Sequence, residues 1–529
     1  MNQFFKNRNM GYCALMILSL GICIGLLSFP AQEALALDKS LNAVGIDRVK
    51  AVGLSGDDVN VGQLEGNHPD KNHPMLKDGW IIQRPDGTGN HAHNTHVAGI
   101  LMGQSYTTGG KTYEGVAPGA HLQTTGVWSG NLDGFRDDVD WLTYSPQADI
   151  VNMSAGCWDD GHDKIADWAA AEKDMLFVVS AGNEGWSGGN PDDDTMRNPA
   201  EGYNVLAVGA TGGTVNQDID TEDYGQLAAY SSQGLDADTQ INPDIVAPGS
   251  LIMSAEMGGT VIEKSGTSMA APHVAGTAAL LHEYSIKQEQ QGKQGWNADS
   301  RDHKVMKAVL MNSADKSVKD KAGKNWLQSE AQTNELQALD DQLGTGGLDA
   351  LQAYKQYEAG QHGPEGAEES AEVPLVGWDF FDNLPDEESR FYEFNQEITA
   401  GNWITATLVW DQHVERPGGG STFTYKGLDD LDLWLWWGSE KGERDELLDN
   451  LSSYGFNNTT EHLHSLLPKT GWYTLEVDWL TNSSGLGNDD YGLAWHTTPE
   501  PSTYLLLVTG LGFLVFMQRR RKKRMNLSD

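Results

Sequence analysis

The sequence contains few cysteines. Cys13, Cys23 and Cys157 are the only three in 529 residues, and the first two fall in an apolar stretch near the N-terminus. If that stretch is removed as a leader, Cys157 is the one cysteine left and an internal disulfide is impossible. Stability must then come from packed cores, and the chain is long enough for two sizeable domains with appendages.

Positive charge is also scarce. Lys and Arg number 36 against 75 Asp and Glu, which gives a formal net charge of −39 at pH 7. A field of this sign argues against nucleic acid as a partner, attracts cations and favours solubility in salty water. It does not identify a substrate.

The N-terminal residues have the pattern of an export signal. Lys6 and Arg8 precede an apolar run from Gly11 to Phe29, and Ala34-Leu35-Ala36 has the small residues of a cleavage site. This pattern predicts a secretory signal peptide over residues 1–36, with an N-terminal membrane anchor as the alternative. In either case the rest of the chain is exported.

Short apolar runs alternate with helical patterns between Val59 and Val246. Such alternation is typical of a parallel sheet covered by helices on both faces, so we expect an α/β domain. Active sites of these sheets lie at the carboxyl ends of the strands. The predicted strands are 59–64, 149–154, 175–180, 204–209 and 244–247, and the predicted helices between them include 133–144 and 164–172.

A serine stands at the start of an apolar helical pattern in Gly266-Thr267-Ser268-Met269-Ala270-Ala271-Pro272-His273-Val274-Ala275-Gly276. The spacing of the apolar residues predicts a helix to about Tyr284, with Pro272 in its first turn. Ser268 would lie at the positive end of this helix, where negative charge on an attacked carbonyl is stabilised. It can therefore be a nucleophile, although a serine at the start of an Ala-rich helix can also be structural.

This string closely resembles the nucleophile motif of the subtilisin-like serine proteases, the subtilases. A second string, His91-Ala92-His93-Asn94-Thr95-His96-Val97-Ala98-Gly99, resembles the histidine motif of that family. The resemblance implies that His93 is the general base, that His96 packs within the following helix and that Asn94 replaces a family glycine. A metal site is the alternative, but no Cys or carboxylate stands at a familiar ligand spacing.

The acid of the triad departs from the family pattern. The segment 59–66 aligns with the strand that ends in the catalytic aspartate of subtilases, and that position here is Glu65. Its carboxylate could accept the Nδ1 proton of His93, but the extra methylene requires the strand or the imidazole to shift. Asp70 and Asp58 are the alternative acids.

The resemblance also assigns an oxyanion donor and two substrate-binding walls. Ala181-Gly182-Asn183-Glu184-Gly185 matches the family string in which the Asn side chain binds the tetrahedral intermediate, although an Asn after a strand can be only a turn residue. The walls are Ser154, Ala155 and Gly156 on one side and Ser180, Ala181 and Gly182 on the other, and an extended peptide would dock between them by strand addition. Cys157 lies just beyond the first wall, near the pocket or as inert packing.

The resemblance spans about residues 40 to 357 and implies a three-layer peptidase domain over 37–357 that acts on polypeptides. It requires no cofactor for the chemistry. Many subtilases have a folding prodomain between the signal and the protease. Only 28 residues separate Ala36 from Glu65, so we expect no sizeable N-terminal prodomain.

The second half has a different composition. Residues 358–375 are rich in Glu, Gly and Ala, which predicts a solvated acidic linker. Residues 376–497 contain short alternating runs that are typical of an all-β sandwich. They resemble the jelly-roll domain that follows the catalytic domain in some subtilases, notably at Asp429-Asp430-Leu431-Asp432-Leu433 and at 471–477.

Two binding hypotheses arise from the sandwich sequence. Trp434 and Trp436 share one face of an alternating strand, where they could stack on a sugar or pack in the core. Asp429, Asp430 and Asp432 could ligate a structural calcium ion through hard oxygens, or form a solvated loop. The sequence leaves the residues of any other metal site unknown.

The last residues resemble the PEP-CTERM sorting signal, which we place at 498–529. Pro499-Glu500-Pro501 is followed by an apolar run over 503–517 and by six basic residues over 519–524. The resemblance implies processing by an exosortase-type machinery, transient contact with the inner membrane and a final place in the envelope, surface or extracellular matrix of a Gram-negative bacterium. A permanent tail anchor is the alternative, although the run is short for a full span.

The leading hypothesis is an exported, envelope-sorted serine endopeptidase that uses Ser268, His93, Glu65 and Asn183. The alternative from another class is a surface binding protein on a degenerate protease fold, with Asn94 and Glu65 as signs of decay. A sedolisin-type enzyme, which pairs Ser with Glu and Asp, is a third possibility. The string around His93 argues against it.

Overall fold

The structure is a computed structural model that describes residues 38–499 except for 127–129, 145–146, 159–160, 186–194, 236–239, 330, 333–336, 366–367, 386, 456–457, 482 and 486–487. The predicted signal peptide and the predicted transmembrane run and basic tail lie outside the described residues. Within the described part, no helix combines the length and apolar character needed to cross a membrane.

The helices are α1 Asp38–Ala43, α2 Ile46–Lys50, α3 Ala92–Met102, α4 Leu132–Tyr144, α5 His162–Lys173, α6 Thr267–Gln290, α7 His303–Asn312 and α8 Ala350–Glu358. The strands of the first domain are β1 Asn60–Gln63, β2 Ile81–Gln83, β3 Tyr106–Thr108, β4 Lys111–Tyr113, β5 His121–Thr124, β6 Ile150–Met153, β7 Leu176–Ser180, β8 Leu206–Thr211, β9 Gly234–Leu235, β10 Ile241–Asn242, β11 Ile245–Pro248, β12 Ile252–Glu256 and β13 Thr260–Lys264. The strands of the second domain are β14 Ser370–Val373, β15 Val376–Pro385, β16 Ser389–Phe394, β17 Asn402–Val409, β18 Val414–Glu415, β19 Thr424–Tyr425, β20 Asp430–Gly438, β21 Glu446–Leu447, β22 Thr460–Leu466, β23 Trp472–Thr481 and β24 Asn488–Pro499.

A seven-stranded parallel sheet forms the centre of the first domain, in the order β11-β8-β7-β6-β1-β5-β2. Successive residues of its strands point to opposite faces. Ile150 and Val178 join the core on the α6 side, whereas Val151 and Phe177 join the core on the α4 and α5 side. The predicted three-layer α/β fold is confirmed.

Helix α6 runs through the core and is buried over most of its length. Pro272 is its sixth residue, so the prediction that this proline lies in the first turn is wrong. At this depth a proline deprives the carbonyl four residues earlier of its helical donor. That carbonyl belongs to Ser268, and it accepts a 2.8 Å hydrogen bond from Ser154 Oγ instead. The proline therefore costs the helix no buried hydrogen bond.

The second domain is a sandwich of two mostly antiparallel sheets, β14-β16-β23-β20-β21 and β15-β24-β17-β22. Their facing side chains form one core, which includes Leu433, Leu475 and Trp495. Part of the predicted linker belongs to this domain, because β14 lies within 358–375 and pairs in parallel with β16. The glutamates of this stretch are exposed, which is why its composition indicated a solvated linker.

The two domains pack directly against each other. Helix α7 of the first domain lies on β17 and β24 of the sandwich, and Trp378, Val409 and Ala494 extend the core of the peptidase domain. On a second contact, Tyr425 OH donates to the Asp163 and Asp167 carboxylates of α5 at 2.9 and 2.7 Å. The sandwich thus buttresses the helices behind the parallel sheet.

Candidate active site

The predicted site residues converge at one edge of the parallel sheet. Strands β1, β6 and β7 are sheet neighbours, and because they are parallel their carboxyl ends meet at the same edge. Glu65 follows β1, and the two predicted walls follow β6 and end β7. Ser268 enters from the first turn of α6, and His93 from the first turn of α3.

Glu65 and His93 are hydrogen-bonded. Nδ1 of His93 lies 3.1 Å from Oε2 of Glu65, whose side chain is buried. The other oxygen, Oε1, accepts from Gln63 Nε2 at 3.2 Å, and the same amide donates to the Asn94 carbonyl at 2.9 Å. Each oxygen of the Glu65 carboxylate therefore has a hydrogen-bond partner. Gln63 was not predicted, although it lies two residues before Glu65 and so on the same side of the strand.

Asn94, the residue in place of the family glycine, has a defined partner. It is buried, and its Nδ2 donates to the carbonyl of Asn67 in the loop after Glu65. The side chain thus ties the helix that carries His93 to the loop that carries Glu65. This bond gives the departure from the family pattern a structural role.

The other candidates of this region lie elsewhere. Nε2 of His96 is buried against the carbonyls of Ile252 and Ile262, and burial lowers the pKa of His96 to about 3. His91 caps α3 by accepting from the His93 N–H. The Asp70 carboxylate accepts from Asn72 N and Asn90 Nδ2. In the described part of the chain, neither Asp70 nor Asp58 is hydrogen-bonded to His93.

The pKa of His93 is raised above its ordinary value of 6.5. Burial lowers it, but the charge of Glu65 and the hydrogen bond to Glu65 raise it by more, while Lys264 opposes them. Glu65 thus both fixes the Nδ1–H tautomer and stabilises the imidazolium. Nε2 is left as the atom that accepts a proton.

Ser268 is half-buried in the first turn of α6. Its Oγ donates to the Ser154 carbonyl at 3.0 Å, so the two serines are linked by reciprocal bonds. Among the hydrogen bonds of the described residues, none joins Ser268 Oγ to His93. Hydrogen bonds of this kind are often formed only once substrate is present. The Ser268 backbone N–H lies in the first turn, where no helical acceptor exists.

Asn183 is oriented by Thr267. The Asn183 Oδ1 accepts from Thr267 N at 2.9 Å and from Thr267 Oγ1 at 3.2 Å. Because a backbone N–H can only donate, the oxygen of the amide must face Thr267 and the Nδ2 group must face away from it. The amide is exposed at the mouth of the site, beside the residue that precedes Ser268. The role of Thr267 was not predicted.

The predicted walls flank the start of α6. Ser154 is buried and contacts Ser268 as described, and Ser180, Ala181 and Gly182 are buried at the end of β7. Gly182 has φ 117°, a conformation that favours glycine. Its N–H donates to Thr267 Oγ1 at 3.2 Å, so this wall is joined to the residue beside the nucleophile. Cys157 Sγ lies 3.3 Å from His162 Nδ1.

The sandwich candidates are arranged differently from the expectation. In the described part, the carboxylates of Asp429, Asp430 and Asp432 do not converge into one group. Asp429 lies instead with His413 and Asp489, and its oxygens accept from Ser484 N and Oγ. The three aspartates that are close in sequence therefore do not form one ligand set among the described residues.

The tryptophans of β20 lie on its partly exposed face. Trp434 stacks on Tyr454 with ring centroids 4.7 Å apart, and Trp436 Nε1 donates to Glu476 Oε2 at 2.5 Å. Leu431, Leu433 and Leu435 alternate with them and form the core. The two tryptophans therefore share one face, as the alternation predicted.

Residues 58–346, more than half of the chain, match the subtilase family (Peptidase_S8). The chain belongs to this family. The subtilisins that it resembles are serine-type endopeptidases.

The chain is 35% identical over 225 residues to the thermophilic serine proteinase of Bacillus sp. (strain AK1), which covers 40% of this subtilase and 49% of that protein. It is 31% identical to subtilisin DY of Bacillus licheniformis, over 44% of this chain and 80% of that one. For subtilisin E of Bacillus subtilis (strain 168) the identity is 32%, over 45% and 60%. The match thus spans from about half to four fifths of the length of these relatives.

Among solved structures, the prenylagaramide maturation protease PagA is similar with a TM-score of 0.44 and 23% identity. The match covers 60% of this chain and 99% of PagA.

Proposed function

We propose that this subtilase hydrolyses polypeptides with Ser268 as the nucleophile, His93 as the general base, Glu65 as the acid that orients His93, and Asn183 as the oxyanion donor. One observation carries the proposal. The Glu65–His93 hydrogen bond lies at the sheet edge where α6 presents Ser268 and Thr267 orients Asn183. These are the parts that acyl transfer needs: nucleophile, base, orienting acid and oxyanion donor.

The chemistry begins when the Ser268 hydroxyl turns from the Ser154 carbonyl to His93 Nε2. Nε2 takes the proton as Oγ bonds to the scissile carbonyl carbon, and the carbonyl oxygen becomes an oxyanion. That oxygen accepts from the Ser268 backbone N–H and from Asn183 Nδ2. The imidazolium, stabilised by Glu65, then protonates the leaving amine as the C–N bond breaks. Water, deprotonated by His93, hydrolyses the acyl-enzyme in the same way.

Polypeptide substrates would lie between the two walls as an added strand. Ser154, Ala155 and Gly156 follow β6, and Ala181 and Gly182 follow Ser180, the last residue of β7, so both walls offer backbone beyond the carboxyl ends of neighbouring strands. The subtilisins among the relatives support this substrate class. No metal takes part in the proposed steps, and a structural calcium ion in the sandwich is a separate proposal.

The test is casein hydrolysis by the purified full chain near pH 8, with Ser268→Ala and Ser265→Ala as matched variants. Ser265 is exposed just before α6, where it accepts from the Leu251 N–H. We expect Ser268→Ala to lose cleavage and Ser265→Ala to retain most of it. A folded wild type without cleavage would instead favour a binding protein on a subtilase fold.

We further propose that the chain is exported through the signal at 1–36 and sorted through the PEP-CTERM-like signal at 498–529. The charged, apolar and small-residue order of the first segment and the Pro499-Glu500-Pro501 string support this proposal. N-terminal sequencing and intact mass of the native protein test it. We expect a start near Leu37 and loss of the basic tail, and a full-length native mass would contradict both steps.

A further inference from the structure

The floor between the two substrate-binding walls is formed by residues 197 and 198. Arg197 N donates to the Ala181 carbonyl at 3.1 Å, which attaches this segment to one wall. Asn198 exchanges two backbone hydrogen bonds with Cys157, of 2.9 and 3.1 Å, next to the other wall. The position of Arg197 is therefore fixed from both sides of the pocket.

The Arg197 side chain packs against the glycine of each wall. A Cβ added at Gly156 would lie 2.7 Å from the Arg197 Cβ, and one added at Gly182 would lie 2.8 Å from its Cγ. These distances are too short for real side chains, so the two glycines are what leaves room for the arginine stem. Arg197 is only 7% exposed. Its side chain is therefore buried between the two walls.

The guanidinium has one charged partner and one vacant donor. Its Nη2 lies 2.8 Å from Glu184 Oε1, and its plane rests against the ring of Trp158. Nη1 is buried and, in the described part of the protein, has no hydrogen-bond acceptor. A buried charged donor without an acceptor is costly, and most such groups in folded proteins are satisfied. An acceptor on a ligand would satisfy this donor.

The pocket chemistry defines which acceptor would fit. Arginine has five N–H donors and no acceptor, so it binds a substrate side chain that ends in oxygen atoms, which accept hydrogen bonds. Hydrogen bonds between guanidinium and carboxylate are about twice as strong as neutral ones. An apolar side chain in this pocket would leave Nη1 unsatisfied, and sites built for a hydrogen bond strongly reject ligands that cannot make it.

We propose that Arg197 determines the specificity of the primary pocket, and that this subtilase cleaves after acidic residues, with the carboxylate of the P1 side chain bound by Arg197 Nη1. P1 is the residue whose carbonyl Ser268 attacks. The inference rests on the proposed function. Glu184 pairs with Nη2 of the guanidinium, so it positions Arg197. Its negative charge also weakens the attraction between Arg197 and the carboxylate of a substrate. Its removal should therefore strengthen the preference.

The experiment compares internally quenched peptides that differ only at P1, with Asp, Glu, Asn, Leu or Phe, on the full chain at pH 8. Mass spectrometry verifies the cleaved bond. We expect kcat/KM for Asp or Glu to exceed that for Asn and Leu by at least about tenfold. Comparing kcat/KM for Asp and Asn measures the effect of the P1 charge, and comparing Asn and Leu measures the effect of a hydrogen-bond acceptor. Equal values for Asp and Asn, or a preference for Leu or Phe, would overturn the inference.

Two pocket variants and one control assign the preference to Arg197. Arg197→Met keeps the stem and should remove the preference for Asp and Glu while cleavage after Leu continues or rises. Glu184→Gln should raise the Asp to Leu ratio about threefold or more, since it removes a competing charge. Arg136→Met deletes a cation of α4 that pairs with Asp133 and Asp137, and it should leave every ratio unchanged.

Labelling of Ser268 with a fluorophosphonate separates the two claims. A wild type that labels but cleaves best after apolar residues contradicts only the inference about Arg197. A folded wild type that neither labels nor cleaves contradicts the proposed function itself. If Arg197→Met does not fold, Glu184→Gln decides, and an unchanged or lowered Asp to Leu ratio in that variant counts against the proposal.

Discussion

The Nδ1 atom of His93 lies 3.1 Å from Oε2 of Glu65. Glu65 is one methylene longer than the aspartate of the family pattern, yet it reaches the imidazole with its second oxygen anchored by Gln63. The bond fixes which nitrogen of His93 carries the proton. Glu65, which the alternative hypothesis took as a sign of decay, therefore keeps the carboxylate–imidazole hydrogen bond that the proposed mechanism requires.

Replacing Glu65 by an amide should cost most of the activity. In Glu65→Gln the side chain can still bond to His93, but it favours the wrong tautomer and cannot stabilise the imidazolium. We expect kcat to fall by about 10⁴, as when the acid of a trypsin-type triad becomes an amide. Glu65→Asp should lose much less, and Asp70→Asn should be close to wild type. A Glu65→Gln variant with near-normal kcat would exclude Glu65 as the orienting acid.

The pH profile should report His93. The base must be neutral, and its pKa is raised above 6.5 because Glu65 outweighs the effect of burial. Activity should therefore decline as pH falls through a midpoint above 6.5. In Glu65→Gln the raising contribution is gone, so the midpoint should move to lower pH. Measured kcat/KM between pH 5 and 9 checks both statements, and an acidic optimum would support a carboxylate base instead.

Asn183→Ala should reduce kcat by about 10² to 10³ with little change in KM, which is the size known for an oxyanion-hole amide in a subtilisin, a member of this family. The reason is that, in the proposed mechanism, Asn183 Nδ2 donates to charge that develops only during the reaction. Asn450→Ala, at an exposed position of the sandwich, is the control. A large rise in KM at constant kcat would show that Asn183 binds substrate rather than the oxyanion.

Asn94→Gly restores the residue of the family motif. It tests whether Asn94 impairs the enzyme or is a tolerated residue with a structural role. It removes the hydrogen bond to the Asn67 carbonyl and places glycine in a helix, so the free energy of unfolding should fall by about 1–2 kcal/mol. Activity should stay within about threefold of wild type. Urea titration and casein assays measure the two effects. A rise in activity of a hundredfold would mean that Asn94 impairs the enzyme.

Asp411 should be critical for the contact between the domains. Its carboxylate lies 2.9 Å from His303 Nε2 and 3.1 Å from Lys304 Nζ, all buried. Asp411, Asp302 and Asp174 raise the pKa of His303 to about 10 against the effects of burial and of Lys304. Asp411→Asn leaves two buried cations short of a partner and should destabilise the protein by about 3–5 kcal/mol.

Denaturant unfolding of Asp411→Asn beside His303→Gln and the double variant tests this account. The double variant should regain part of the lost free energy of unfolding, because it removes His303, one of the two cations left without a partner. Additive losses would show that the pair does not interact.

Much of the first domain could be predicted because its signals are local. The runs that became β1, β6, β7, β8 and β11 are short, apolar and separated by helical periodicity. The string around Asn183 follows β7, and the strings around His93 and Ser268 begin helices α3 and α6. Features made by long-range packing could not be predicted. Arg197 reaches both walls only because β6 and β7 lie side by side. The docking of α7 on the sandwich likewise depends on contacts between distant segments.

Predictions from local composition were wrong where a contact with a distant segment outweighs the local signal. The glutamates of 358–375 indicated solvent exposure, but the backbone of β14 completes a sheet edge whatever its outward side chains are. Pro272 indicated a helix start, but Ser154 Oγ satisfies the carbonyl that the proline leaves open. In both cases the compensating partner is far away in sequence.

The central claim is that Ser268 is a nucleophile activated by His93, and the most direct measurement is the site of covalent labelling. The full chain is treated with a fluorophosphonate near pH 8, digested and mapped by mass spectrometry, with Ser268→Ala and His93→Ala treated in parallel. The account predicts one adduct, on Ser268, that is absent in Ser268→Ala and strongly slowed in His93→Ala. A folded wild type that is not labelled, or is labelled at another serine, would contradict it.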